Sequence, residues 1–417
     1  MIPGDISHDK LGTAQRWRAT VYLGLISSTF STVVSQLSAA RIGRDAAVDW
    51  MSVAAIPARD WALTADPSIG SIAIGIAFHQ WADFSWALVF FGVLGKWTAK
   101  LGPASLAIAA VPWANLSSAF EWLILVPLFP FWQPIFTLQQ PYWIGFLVHL
   151  SSASMYPLFA WLRRSPSQRD AFAGRTFLRV WSLGAICGIL LLEAAALFAA
   201  YDRELPWAGR NPSVDQTFIR HMSTHHEQGI LMASIGAERA GDAHLRALSK
   251  LMVASQRGES RILAHWWASW FDEPMKICSA EERASMPGLL DPADLAKLRS
   301  TEAPSFDRLF VELMTRHHKG AVAMADSQIR DGSDPRLRIM AHAIRHGQQG
   351  EIALMHGLDG APAVSLALRN MLADNFNLVP RTSGMDRSAD HMSLLKPINE
   401  EVMCATRCAS GSTHDSE

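Results

Sequence analysis

The sequence predicts an all-α chain in two parts: an N-terminal polytopic membrane domain of about five helices, and a C-terminal four-helix bundle made of two repeated helical hairpins. Three observations carry this prediction. Long apolar stretches are confined to the first half, the pattern turns charged and amphipathic after residue 212, and a set of identities recurs at one constant offset of 92 residues, as between Asp215 and Asp307.

The apolar stretches fit the composition. A chain of 417 residues with 49% apolar content and a mean hydropathy of +0.11 is greasier than an ordinary soluble two-domain protein. Its 37 basic and 38 acidic residues leave a net charge of −1, so no single-sign field argues for nucleic acid. The four cysteines, Cys187, Cys278, Cys404 and Cys408, stand in unlike surroundings and form neither a disulfide framework nor a four-thiolate zinc pattern. Cys404 and Cys408 fall in a polar tail that reads as unpaired and flexible.

The membrane helices are expected at 19–40, 71–95, 104–128, 141–162 and 178–201, each long enough for ~30 Å of hydrocarbon at ~1.5 Å per residue. Trp97, Trp132, Trp143 and Trp161 fall near helix ends, as an interfacial belt requires. The first stretch is rich in Ser and Thr and ends in small residues, so cleavage as a signal peptide is the alternative to a retained helix. With residues 1–18 in the cytoplasm, the inner loops hold Lys96, Lys100, Arg163, Arg164, Arg169, Arg175 and Arg179, while the outer ones dilute Arg41, Arg44 and Arg59 with aspartates. The basic residues therefore orient the chain as a bacterial inner-membrane protein with its C-terminal domain periplasmic, whether or not the first segment is removed.

Residues 202–212 read as a short linker bearing Pro and Gly, and the bundle follows over 213–360. Asp215, Phe218, Met222, His225, His226 and Met232 recur as Asp307, Phe310, Met314, His317, His318 and Met324; Asp242, Leu245, Arg246, Gln256 and Glu259 recur as Asp334, Leu337, Arg338, Gln348 and Glu351. The units run from about 213 to 271 and 305 to 360, and two hairpins that cannot bury their stripes alone make one bundle. Ser213 to Gln216 reads as a capping box with Asp215 at the helix start; Gly241 and Gly332 suit the ends of the first helices, and Asp242 and Asp334 the starts of the second. The tail from 361 to 417 is expected to be disordered.

At ~100° per residue, Phe218, Met222, His225 and Met232 share one helix face, as do Phe310, Met314, His317 and Met324, with His226 and His318 at the edge of each sector. Gln256, Glu259, Gln348 and Glu351 lie on apolar stripes of the second helices, where an unpaired polar group is costly, so the imidazoles are their natural partners. Core packing alone would account for any one of these residues. Met-x2-His-His-x5-Met occurring twice, however, keeps thioether and imidazole together, a donor set that suits Cu(I) or Ag(I) better than Mg or Ca. The candidate ligands are Met222, His225, His226, Met232, Met314, His317, His318 and Met324, with Gln256, Glu259, Gln348 and Glu351 supporting them. A di-iron oxidase bundle needs Glu-x-x-His motifs, and neither Glu259 nor Glu351 has a His three residues on.

The doubled Asp-x2-Phe-x3-Met-x2-His-His followed by Gln-x2-Glu resembles the ferritin-like family catalogued as domain of unknown function 305, over about residues 211–360. The resemblance implies a ferritin-like four-helix bundle of the periplasm or cell surface, some of whose members bind copper and are linked to copper resistance, with the His and Met positions above as ligands. It does not extend to the membrane half. Ser260 and Leu263 stand where the second unit has Ile352 and Met355, so the two half-sites are expected to differ in strength.

Ionisable residues within membrane helices are functional candidates in their own right. His79, Glu121, His149 and Glu193 are expected ~10–14 Å below the outer helix ends at ~1.5 Å per residue, with Asp83 one turn deeper than His79. This layer is read either as hydrogen-bonded packing or as a proton or metal site. The partners implied are a membrane and a metal ion, copper above all, with a homo-oligomer left open and no nucleic acid. The preferred function is a binding module for copper handling or tolerance; a membrane redox enzyme using the His/Glu layer, and a metal-independent signalling or structural anchor, are the alternatives.

Overall fold

The computed structural model describes residues 4–129 and 131–373, and all regular secondary structure among them is helical. The first half holds α1 (Gly4–Ser38), α2 (Ala46–Ala58), α3 (Ile69–Leu88), α4 (Pro103–Phe120), α5 (Ile135–Gln139), α6 (Tyr142–Ala153) and α7 (Arg175–Ala200). The second holds α8 (Pro212–Arg239), α9 (Ala243–Trp270), α10 (Ser305–Asp331), α11 (Pro335–Met355) and α12 (Gly360–Ala373).

Each of the five apolar stretches is helical over most of its length. α3 and α4 run on through π-helical turns at Val89–Val93 and Glu121–Leu125, and α6 gives way after Ala153 to a 3-10 turn containing Pro157. Two helices, Pro103–Leu128 and Arg175–Ala200, are long and apolar enough to cross a membrane by length and composition. α1 and α3 are diluted by Ser, Thr, Gly and buried polar residues, and α6 has only 12 residues before its break.

α2 occupies what the sequence suggests is an outer loop. The Asp45 side chain accepts from the N–H groups of Ala47 and Val48, satisfying donors at the helix start. Trp50 to Ile56 are then buried without interruption, because α2 is sandwiched between the other N-terminal helices and the bundle. One apolar core runs through this layer: Met51, Ala54, Ala55 and Leu63 with Ile135 and Leu138 of α5 pack against Leu248, Leu251, Met252 and Leu354 of the bundle. Two glycines at corresponding positions permit the approach. A Cβ on Gly350 would lie 2.3 Å from the Leu138 carbonyl oxygen, and one on Gly258 would lie 2.7 Å from the Asp45 Cβ.

The bundle pairs α8 with α9 and α10 with α11, and α8 with α10 across the middle. Its ends are tied by exchange between hairpins, which corrects the expected capping box. The cap of α8 is Asn211, whose side chain accepts from Ser213 N–H. Asp215 is instead fully buried, and it accepts from Ser333 N–H and Oγ–H, Asp334 N–H, the Gln328 amide and the Trp207 indole. Asp307 makes the corresponding contact in the other direction, accepting from the N–H groups of Gly241 and Asp242. Asp242 and Asp334 themselves cap α9 and α11.

The segment expected as a linker is fastened on both sides. Glu204 is buried in an ion pair with Arg41 at 2.9 Å, Arg336 donates to the carbonyls of Leu205 and Pro206, and Ala208 N–H donates to Asp334. The expectation of disorder from residue 361 is corrected over its first part: α12 is a helix that buries Ala363 and packs Leu366 on the common core. Residues 374–417, including Cys404 and Cys408, lie outside the described residues.

Candidate metal centre

α8 and α10 face each other at the middle of the bundle, where the imidazoles of His225 and His317 stack with ring centroids 3.8 Å apart and planes 34° from parallel. Two like groups tolerate this contact only when uncharged. Burial holds the His225 pKa down to about 3, with the neighbouring His226 adding to the effect, and burial likewise keeps His317 well below the ordinary histidine range.

The hydrogen bonds then fix the tautomers. His225 Nε2 lies 3.2 Å from the Pro287 carbonyl oxygen and His317 Nε2 lies 3.1 Å from the His225 carbonyl oxygen. A carbonyl oxygen only accepts, so in each neutral ring Nε2 carries the proton and the lone pair is on Nδ1. His226 and His318, expected at the sector edge, are as fully buried as the inner pair. Glu259 and Glu351 reach them from the neighbouring helices, with Nε2···Oε2 distances of 2.7 Å in both pairs. Here too the proton shared with the carboxylate lies at Nε2. The Nδ1 atoms of all four histidines are buried and have no hydrogen-bond partner among the described residues.

The supporting polar residues also come to this level. Gln256 is fully buried with both amide atoms unpartnered, and a Cβ on Gly229 would lie 2.2 Å from its Oε1 and 2.8 Å from His317 Cε1. Only a glycine lets the amide and the ring meet over α8. Gln348 is buried with Oε1 unpartnered. The two carboxylates differ: the Glu259 side chain is 17% exposed, while Glu351 is 2% exposed and also accepts from Gln139 Nε2 of α5 at 3.0 Å. That second bond ties the candidate centre to the N-terminal half, and nothing in the spacing of the sequence announces it.

The methionines divide between the apolar cores on either side. Met232 and Met314 are buried with Phe310 and Leu251, Met222 is buried with Trp266 and Ile344, and Met324 is partly buried against the core that holds Met222. Among the described residues, one cluster of His, Cys and acidic groups has three donor atoms within 4.8 Å of one another, and it is a different one: His221, Cys278 and Glu282. Sequence reading missed it because Cys278 has no cysteine partner and lies on the segment connecting the hairpins.

The polar residues of the N-terminal half form two hydrogen-bonded sets that lie close enough to interact electrostatically. Ser31 Oγ lies 3.0 Å from His79 Nε2 and donates to Asp83, with His79 and Asp83 3.5 Å apart. His149 lies 3.4 Å from Glu121 through Nε2 and 3.0 Å from Ser117 Oγ through Nδ1, and the Trp86 indole donates to the same carboxylate. Glu193 is exposed on α7 and joins neither set, which corrects the expectation of one layer contributed by four helices.

Comparison with known proteins covers the bundle alone. The family model described as Domain of unknown function (DUF305) matches residues 215–358. Among solved structures, a DUF305 fragment from Deinococcus radiodurans is 31% identical, with 36% of this chain and 95% of that chain covered and a TM-score of 0.32. A DUF305 protein from Streptomyces coelicolor is 26% identical over 35% and 96% of the two chains, with a TM-score of 0.32. CopM in its Cu(I)-bound form is 28% identical over 34% and 93%, with a TM-score of 0.30. No curated protein matches the chain. By the family model and the 31% identity over nearly the whole Deinococcus radiodurans fragment, this chain belongs to the DUF305 family.

Proposed function

We propose that the middle of the bundle binds a soft metal ion, Cu(I) by its donor chemistry, and that the N-terminal half holds it at a membrane. The observation that carries this reading is the set of four buried, unpartnered Nδ1 atoms on His225, His226, His317 and His318. Each opposite nitrogen is bound to an acceptor, the arrangement by which ligating histidines are oriented and made more basic. Leaving such lone pairs buried and unpaired costs free energy that metal binding recovers. Neutral imidazole with nearby thioether selects soft ions over Mg or Ca. Met222, Met232, Met314 and Met324 supply the sulfur within the same bundle, Glu259 and Glu351 hold the rings of His226 and His318, and Gln256 and Gln348 are buried supporting positions. Cu(I) and Ag(I) are therefore the ions to test first, and both are ions bound in CopM structures.

The membrane reading rests on surface chemistry. α7 presents Val180, Leu183, Ile186, Leu190, Leu191, Leu197 and Phe198 outward, and α4 exposes Ile108, Val111 and Leu116, a larger apolar surface than a water-exposed monomer carries. Helices of 26 residues reach ~39 Å, enough for ~30 Å of hydrocarbon. The segments between α1 and α3 and between α4 and α6 meet the bundle on one side, in keeping with an N-terminus in the cytoplasm and a bundle in the periplasm. His79 and His149 already hold carboxylate and serine partners, which supports a packing role for the two polar sets.

The test is competition titration of the full chain in detergent with Cu(I) and a chromophoric chelator. His225→Ala combined with His317→Ala should weaken binding by at least about tenfold. Affinity equal to that of the parent overturns the assignment. The full chain is needed because α2 and α5 complete the bundle core.

A further inference from the structure

A second set of donors lies on the bundle surface, one helical turn before His225. His221, Cys278 and Glu282 each offer one ligand atom, and the three atoms lie within 4.8 Å of one another. His221 Nε2 is 3.6 Å from Glu282 Oε1. A tetrahedral zinc with bonds of ~2.0–2.3 Å spaces its ligand atoms by roughly 3.3–3.7 Å, so the imidazole and carboxylate already stand at ligand spacing. A shift of at most about an ångström brings the sulfur to the same spacing.

The surroundings suit an ion that enters from solvent. The side chains of His221 and Glu282 are 23% and 32% exposed, whereas Cys278 is buried behind them with Thr224 Oγ1 at 3.4 Å from its sulfur. Glu282 is held in place by Ser279 N–H, which donates to Oε2, and by the reciprocal bond from Glu282 N–H to Ser279 Oγ. A cation already sits over the cluster: Arg220 Nη2 is 2.9 Å from both Glu282 oxygens and 4.0 Å from Cys278 Sγ. This guanidinium neutralises the carboxylate, a role a divalent ion would take over together with the thiolate.

We propose that His221, Cys278 and Glu282 form a metal site for a borderline divalent cation, Zn(II), separate from the histidines of the bundle interior. Thiolate, imidazole and carboxylate are the three zinc donor types, and three protein ligands leave the fourth position to water. Binding releases the thiol proton to solvent and displaces Arg220 from the carboxylate. The site contains no thioether and shares no ligand with the interior set, so neither assignment depends on the other.

Co(II) is the probe, because a thiolate ligand gives it a charge-transfer band in the near ultraviolet and tetrahedral geometry gives intense visible bands. The full chain carrying Cys187→Ser, Cys404→Ser and Cys408→Ser keeps Cys278 as its one thiol. The expected result is a saturable thiolate–cobalt band, abolished by Zn(II), with Co(II) affinity reduced at least about tenfold by His221→Gln or Glu282→Gln. His225→Ala with His317→Ala should leave the band in place. Absence of the band in the single-cysteine chain overturns the proposal, as does a band indifferent to both ligand substitutions. Loss of Cu(I) binding by the interior variants with the cobalt band retained separates the two sites.

Discussion

His318 Nε2 lies 2.7 Å from Glu351 Oε2, with the imidazole fully buried and the carboxylate all but so. In the other hairpin His226 and Glu259 keep the same 2.7 Å, but the Glu259 carboxylate is partly open to solvent. The two half-sites therefore share a geometry and differ in how firmly it is held. Glu351→Gln should lower Cu(I) affinity by about ten- to a hundredfold, because the amide no longer fixes the ring tautomer. Glu259→Gln should have the smaller effect, since water can replace the lost acceptor. Parallel competition titrations of the two variants check the order; equal losses would show that burial of the carboxylate does not matter.

Gln139 supplies the second hydrogen bond to Glu351 from outside the bundle. Gln139→Leu removes a bond to a charged group and should destabilise the full chain by about 1.5–3 kcal/mol. Gln139→Glu should cost more, because it sets two carboxylates against each other in a buried place. Chemical unfolding of both variants in the same detergent measures the difference, and a milder effect of Gln139→Glu would refute this reading of the contact.

Asp215 accepts five hydrogen bonds from the opposite hairpin and the preceding segment, while Asp307 accepts two at the exposed end. Asp215→Ala leaves buried donors unpaired and should cost about 3–5 kcal/mol. Asp307→Ala should cost about 1 kcal/mol, as for the loss of a partly solvated cap. Thermal or denaturant unfolding decides whether the asymmetry exists.

These cross-ties mark the boundary between what the residues announce and what only packing decides. The 92-residue offset, the cap residues Asp242 and Asp334 and the pairing of imidazoles with Glu259 and Glu351 follow from periodicity and the cost of buried polar groups, and they are legible in the sequence. Asp215 reads as a capping residue because its local spacing allows it; apart from Trp207, its partners Gln328, Ser333 and Asp334 are more than a hundred residues away. α2 was hidden among the charges of a loop, although Asp45 before an apolar run is a helix-start signal. The Gln139 contact and the His221–Cys278–Glu282 cluster have no local signature, since both are created by the way distant segments dock.

His342 and His346 are buried on α11 with ring centroids 4.8 Å apart, and Trp143 of α6 donates to His342 Nδ1. Burial, above all, holds both pKa values down to about 3 from 6.5; Arg345 adds to this for both, and His342 for His346. In the unfolded chain each returns to the ordinary value, so from pH 6.5 down to about 3 the unfolded state binds the extra protons. Their contribution is complete above pH 6.5 and is lost as pH falls, by ~1.4 kcal/mol per pH unit for each group. The metal-free chain should therefore melt at a lower temperature at about pH 5.5 than at about pH 7.5, and His346→Leu should make the drop shallower. A melting temperature indifferent to this change in pH would contradict the buried neutral state.

Whether the Nδ1 lone pairs in the bundle interior are metal ligands is decided by nitrogen NMR of the full chain labelled at histidine, before and after addition of Ag(I) as a stable stand-in for Cu(I). His225, His226, His317 and His318, assigned by single substitution, should show protonated Nε2 and bare Nδ1 without metal, and Ag(I) should move the Nδ1 resonances while Nε2 stays protonated. Nδ1 resonances that do not respond to Ag(I), or that are protonated from the start, would contradict the account.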